Sequence, residues 1–283
     1  LNPEAQRSFE LPSYIRFTGR WLSKISPALA TRFALKLFFK PLRFPIPKRE
    51  LALRQKAKRH RLQLEDGRSF KVFELPAKGP KVLLIHGWSG RASQFFKLMD
   101  ALHAQGFHCL GIEAPGHGDN LGESTHMLAF VSSISKTLER WPNIPYAIGH
   151  SLGGMAIFNA FKEGADFQKV SIIGSPASIQ NVVSDFCERL ELSLKVRDGI
   201  LNYIEKRYQL KTSDASTDYL AKKFNPEGLI IHDEDDRDVP VLNGHQSKAA
   251  WKKAKLYLTK GKGHRKVLMD EAVIEEILTF LQI

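Results

Sequence analysis

Residues 146–163 read YAIGHSLGGMAIFNAFKE, and how this stretch is read decides the fold. Tyr146 to His150 is a short apolar run of strand length, and Leu152 to Glu163 has helical character, so Ser151 alone sits at the junction. Gly149-His150-Ser151-Leu152-Gly153 fits G-x-S-x-G in the strand–turn–helix setting that gives this pattern its meaning. A turn that sharp strains the backbone at its apex. Side chains at the two glycine positions would collide with the adjacent strand and helix.

Outward from Ser151 the same alternation continues. Lys58–Glu65 and Ser69–Leu75 flank Asp66-Gly67, a tight-hairpin signal. Lys81–His86, His108–Ile112, Lys169–Ile173, Leu229–His232 and Lys255–Thr259 read as strands. Helices are expected over Arg91–Gln105, Met127–Trp141 and Asp270–Leu281. Alternating strands and helices require crossover connections. The expected fold is therefore α/β: a mostly parallel, twisted sheet of about eight strands with helices on both faces and an antiparallel N-terminal edge. Between Ile173 and Leu229 lie about 50 residues of helical periodicity, far longer than an ordinary αβ loop. Residues 175–227 are read as a helical cap, residues 51–174 and 228–283 as the core, and residues 1–50 as a separate helical arm.

A serine hydroxyl needs a base, and the base needs a third group to orient it. His264, in Gly261-Lys262-Gly263-His264, falls between the last strand and the last helix, where a loop can carry it over the serine. His86, His117, His150, His232 and His245 are weaker candidates; the first four sit at strand ends or near Ser151 and are read as shaping turns. The acid is sought in His232-Asp233-Glu234-Asp235-Asp236-Arg237-Asp238-Val239-Pro240, at the carboxyl end of a strand where sites of parallel sheets form. A divalent-metal reading of this run is disfavoured, because it has neither EF-hand spacing nor an interleaved glycine. No cofactor or metal is expected.

These motifs together resemble the α/β-hydrolase fold family over roughly residues 58–283. Members often show H-G-x-x-D-x-x-V-P at the acid strand, and the resemblance puts the acid on Asp236, ahead of Val239-Pro240. Asp233 stands where that pattern has glycine, and Asp235 and Asp238 are neighbouring alternatives. His86-Gly87-Trp88 resembles the family's H-G-x oxyanion turn, which implies backbone donors at Trp88 and at Leu152, where the helix starts. Glu113-Ala114-Pro115-Gly116-His117-Gly118 resembles the D-x-P-G-H-G turn, with Glu113 in place of Asp, and is read as structural. The implied activity is a serine hydrolase with Ser151, Asp236 and His264 catalytic. It would cleave a small to medium, partly hydrophobic carboxylic ester or thioester. Carbon–carbon bond hydrolysis and acyl transfer are open to the same residues, and so is a non-catalytic role in binding a lipid or a partner.

Composition sets the outer bounds. The chain has 283 residues, 43% hydrophobic and 25% charged, the profile of a globular protein. Cys109 and Cys187 are both read as buried and lie in no metal or redox spacing, so a disulfide framework is not expected. With no charged-then-apolar leader, a cytoplasmic protein is expected. The net charge of +12 is confined to one end: residues 1–61 hold fifteen Lys and Arg against Glu4, Glu10 and Glu50, and the remainder is neutral. Arg16, Arg20 and Lys24 form one helical stripe beside Phe17, Trp21 and Ile25. Ser26-Pro27 then caps a second helix, with Arg32, Lys36 and Lys40 on one stripe and Leu29, Phe33 and Leu37 on another. Two readings of this arm stay open: its aromatic faces pack on the body, or residues 13–40 contact a membrane surface. Nucleic-acid binding is disfavoured for want of a recognition motif.

Overall fold

A computed structural model describes residues 12–120, 122 and 124–282. Residues 1–11, part of the expected arm, lie outside the described residues. Twelve α-helices and eight strands follow among those described: α1 (Ser13–Ile25), α2 (Pro27–Phe38), α3 (Leu51–Lys56), β1 (Lys58–Gln63), β2 (Ser69–Leu75), β3 (Lys81–Ile85), α4 (Phe96–Ala104), β4 (His108–Glu113), α5 (Met127–Arg140), β5 (Tyr146–His150), α6 (Leu152–Ala160), β6 (Lys169–Ile173), α7 (Ile179–Arg189), α8 (Leu194–Tyr208), α9 (Thr217–Phe224), β7 (Glu227–Asp233), α10 (Leu242–Ala250), β8 (Ala254–Thr259), α11 (Gly263–Lys266) and α12 (Glu271–Leu281).

The strands form one sheet in the order β1-β2-β4-β3-β5-β6-β7-β8. β1 and β2 are antiparallel and join β4 antiparallel, while β3 to β8 pair in parallel. This is the expected α/β fold. Side chains alternate across the strands with period two, so each parallel strand buries both of its faces. Leu83, Ile85, Ala147, Val170, Ile172 and Ile230 share one apolar layer with α5, α6 and α9. Val82, Leu84, Ile148, Ile173, Leu229 and Ile231 point to the other, where α3, α4 and α12 cover them. Complete burial of each such Leu, Ile or Val contributes roughly 2 kcal/mol.

A third apolar cluster lies beyond the carboxyl end of β5. It joins Met155 of α6 to Ile179, Val183 and Cys187 of α7, Val196, Ile200 and Ile204 of α8, and Ala30 and Ala34 of α2. The arm therefore packs against the helices inserted between β6 and β7. Its closest approach is through small residues, flanked by Leu22, Leu35, Phe38 and Phe39. Ala30 and Ala34 are completely buried, and a methyl added at Gly199 of α8 would sit 2.7 Å from Thr31 Oγ1. Ser26 caps α2 by accepting from Leu29 N–H at 3.4 Å. In α1 the buried residue is Gly19, set against Leu190 and Leu192, while Phe17, Trp21 and Ile25 stay exposed. α1 is thus docked by a face other than its aromatic one, whereas α2 sets Phe38 edge to face against Phe186 of α7 at 5.1 Å. Among the described residues no helix is long and apolar enough to cross a membrane.

Candidate active site

β5 delivers Ser151 to the carboxyl edge at the middle of the sheet. Its backbone is left-handed there, with φ 52° and ψ −121°, a conformation a side chain adopts only under constraint. The constraint comes from both sides. Ser151 N–H donates to Ile173 C=O at 2.9 Å, and Ser175 Oγ donates to Ser151 C=O at 2.9 Å. A methyl at Gly149 would lie 2.5 Å from Gly154 N, and one at Gly153 would overlap the Ile85 carbonyl. Only glycine lets strand and helix close to this distance.

The acidic run resolves into separate tasks. Asp236 Oδ2 accepts from His264 Nδ1 at 2.7 Å, and its Oδ1 accepts from the N–H groups of Asp238 and Val239 at 2.9 and 2.8 Å. Donation from Nδ1 leaves Nε2 of the neutral ring free to accept a proton. Asp233, at the position where the family pattern has glycine, takes four bonds. Oδ1 accepts from Asp235 N–H and Gly263 N–H at 3.0 and 2.9 Å; Oδ2 accepts from Thr259 Oγ1 and Lys262 N–H at 2.7 and 3.0 Å. Burial would raise this carboxyl, but the bonds from Gly263, Thr259, Lys262 and Asp235 outweigh it and hold it below the usual carboxylate range. Asp233 thereby pins the loop that carries His264. Asp235 adds a bond from Gly261 N–H at 3.1 Å, and Asp238 pairs with Arg189 at 3.3 Å.

The remaining histidines act as frame. His150 Nε2–H donates to the His264 carbonyl at 2.8 Å, its ring lies 4.5 Å from that of His264, and burial and then the neighbouring His264 keep it neutral. His232 donates to Val239 C=O at 2.8 Å. His86 Nδ1–H donates to Gly87 C=O at 2.7 Å and its Nε2 accepts from Ala114 N–H at 3.1 Å. His117 accepts from Ser89 N–H at 3.0 Å and donates to Pro115 C=O at 3.1 Å, with its pKa pushed down to about 4 by burial. The turn from Glu113 to Gly118 thus buttresses the turn that carries Trp88. Neither Trp88 N–H nor Leu152 N–H has a protein acceptor among the described residues. A methyl on Gly87 would come 2.7 Å from Ser151 Cβ, which is how closely the Trp88 turn approaches the serine. His245, the remaining alternative, does not line the cavity that holds Ser151.

Ser151, His264, Trp88 and Leu152 all line one cavity of about 650 Å³. No hydrogen bond joins Ser151 to His264 among the described residues; such contacts commonly tighten only with substrate in place. The wall is largely apolar, built by Met127 and Met155, by Ile179, Val182 and Phe186 of α7, and by Ile204 and Tyr208 of α8. Leu37, Phe38, Phe39, Leu42 and Phe44 complete it from the arm and the segment after it. The sequence reading did not place those arm residues in the site, nor Asp233 beneath the His264 loop. The extra carboxylate at a family glycine position was the available signal for Asp233. For the arm there was none, because it lies outside the stretch that resembles the family.

An eight-stranded, mostly parallel sheet with a serine at the β5–α6 turn defines an α/β hydrolase. More particularly, the model of the serine aminopeptidase S33 family matches residues 77–225, over half of the sequence, and the chain belongs to that family. Two human proteins, serine hydrolase-like protein and serine hydrolase-like protein 2, are each 32% identical over 108 residues. That stretch is 35% of this chain, and 51% of the first relative and 33% of the second, so the chain spans about half or less of the curated relatives it matches. Among solved structures, an esterase from Exiguobacterium antarcticum superposes with a TM-score of 0.62 at 15% identity, covering 79% of this chain and 99% of that one. A Pyrococcus furiosus esterase gives 0.63 at 15% identity over 86% of this chain and 97% of that one. A thioesterase domain from the curacin biosynthetic pathway gives 0.59 at 17% identity over 78% of this chain and 99% of that one. At these identities the structural likeness establishes the fold.

Proposed function

We propose that this α/β hydrolase cleaves a partly hydrophobic carboxylic ester or thioester through a covalent acyl-enzyme on Ser151. The observation that carries the reading is the Asp236–His264 hydrogen bond of 2.7 Å, made by buried Asp236 behind a histidine that lines the same cavity as Ser151. His264 Nε2 takes the Ser151 proton as the hydroxyl attacks the acyl carbon, and Asp236 orients the ring and stabilises the imidazolium. The negative charge that develops on the acyl oxygen is met by the N–H groups of Trp88 and Leu152. His264 then returns the proton to the departing alkoxide or thiolate. Water, deprotonated by the same histidine, then attacks the acyl carbon, and His264 passes that proton to Ser151 Oγ as the acyl–serine bond breaks and the acid leaves.

An ester is favoured over a peptide N-terminus by the charges in the cavity. Asp185 and Asp238 line it, but so do Arg16, Lys40, Arg189 and Arg265, and Arg189 pairs with both carboxylates at 2.6 and 3.3 Å, so an incoming α-ammonium meets a lining with more cations than carboxylates. The test is labelling by a serine-directed fluorophosphonate together with a panel of aryl esters of increasing acyl length. Wild type is expected to label and to turn over the panel, and Ser151→Ala to do neither. Labelling of Ser151→Ala to the wild-type extent would overturn the assignment.

A further inference from the structure

α1 divides into three sectors around its axis. Ile15, Gly19 and Leu22 face the protein, Arg16, Arg20 and Lys24 form a basic stripe, and Tyr14, Phe17, Trp21 and Ile25 form an apolar one. The apolar stripe is the anomaly. Its four side chains are 70%, 62%, 56% and 58% exposed, and Leu29 on the neighbouring helix is 50% exposed. Large apolar groups scattered singly on a surface need no explanation, but a continuous aromatic row does. No acidic residue occurs between Glu10 and Glu50, and of the basic stripe Arg20 pairs with Glu191 at 3.3 Å across an exposed contact.

We propose that this face of α1 docks onto an anionic phospholipid bilayer, lying in the plane of the interface. Trp and Tyr favour the depth where headgroups meet acyl chains, and a basic row beside them meets the negative surface charge. Each Lys or Arg near such a surface strengthens binding roughly fivefold. The thirteen residues of α1 span about 20 Å, suited to lying on the surface. The other end of the observation is the cavity: Tyr14, Ile15 and Arg16 line it, so its wall continues into the docking face. Docked this way, the cavity takes its acyl substrate from the lipid phase. That last step rests on the hydrolase reading above, whereas the docking does not.

The full chain is tested by co-sedimentation with phosphatidylcholine vesicles with and without phosphatidylglycerol, with Trp21 emission followed against a Trp21→Phe control. The wild type is expected to sediment with the anionic vesicles, to be released by salt, and to show a blue shift that the control lacks. The triple variant Phe17→Ser, Trp21→Ser, Ile25→Ser is expected to lose retention at least tenfold while hydrolysing a soluble short-chain aryl ester as wild type does. Its turnover of a long-chain ester carried in anionic vesicles should fall by a similar factor. Wild type remaining in the supernatant, or the triple variant sedimenting equally, overturns the proposal. So does a dimer in light scattering that the triple variant dissolves, because a second copy then covers the stripe. Ser151→Ala should bind the vesicles as wild type does. If wild type sediments but hydrolyses neither ester, the hydrolase reading fails while the docking stands.

Discussion

Replacing Asp233 by Ala removes no group from the reacting atoms, yet it should reduce turnover. The Asp233 side chain is 1% exposed as a residue and accepts four bonds, three of them from Thr259, Lys262 and Gly263 in the segment leading to His264. Hydrogen bonds to a charged group contribute about 1.5–3 kcal/mol each, but the freed N–H groups lie near the surface and water will recover most of that. A net loss of about 3 kcal/mol is expected in urea unfolding at neutral pH. The sign with pH follows from the depressed carboxyl: its stabilisation is present above the ordinary value of 3.8 and is lost as pH falls through the lower folded value. Wild type and variant should therefore converge in stability toward strong acid. For activity, a loop that shifts His264 by about 1 Å costs on the order of a hundredfold in kcat, while KM stays near wild type because the cavity wall is untouched. Equal kcat in Asp233→Ala and wild type, alongside the stability loss, would refute the view that Asp233 positions His264.

Gly153→Ala places a methyl on the Ile85 carbonyl and should destabilise by at least about 3 kcal/mol or abolish soluble expression, which thermal unfolding would register; a loss under about 1 kcal/mol would contradict the packing described. His117 is held neutral at about 4 against 6.5 in the open chain, so only the unfolded state binds its proton between those values. Stability should fall as pH drops from 6.5 toward 4, by up to about 3 kcal/mol from this residue, and His117→Gln should flatten that limb in denaturant titrations. Phe186 meets Phe38 edge to face at 5.1 Å on the cavity wall. Phe186→Ala should raise KM for long acyl esters roughly fivefold, from about 1 kcal/mol of lost contact, and leave short esters unchanged; an equal rise for both would place the acyl chain elsewhere.

Much of this molecule is local in origin. A strand, a one-residue turn and a helix around Ser151 follow from apolar period and from glycines at positions where no side chain fits. The strand alternation elsewhere demanded crossovers, and hence a parallel sheet. The order of Ser151, Asp236 and His264 along the chain was legible because each sits at a strand end, and all parallel strands end on the same edge. Other features depend on contacts between segments far apart in sequence. Five carboxylates between Asp233 and Asp238 look alike as letters; they differ only in what the β8–α11 loop, His264 and Arg189 bring to them. The arm was legible as two amphipathic helices, but not which of its faces would be buried. Ala30, Ala34 and Gly19 prevail over larger apolar neighbours because close approach favours small residues, and that preference exists only once α8 and the segment 190–192 before it are opposite. The sequence by itself determined the sheet, the turn at Ser151 and the candidate chemistry, since these rest on backbone period and sterics. Only the tertiary structure decided what Asp233 and the other neighbouring carboxylates hold, what walls the cavity and which face of α1 is left outward, since each of these is a property of two surfaces brought together.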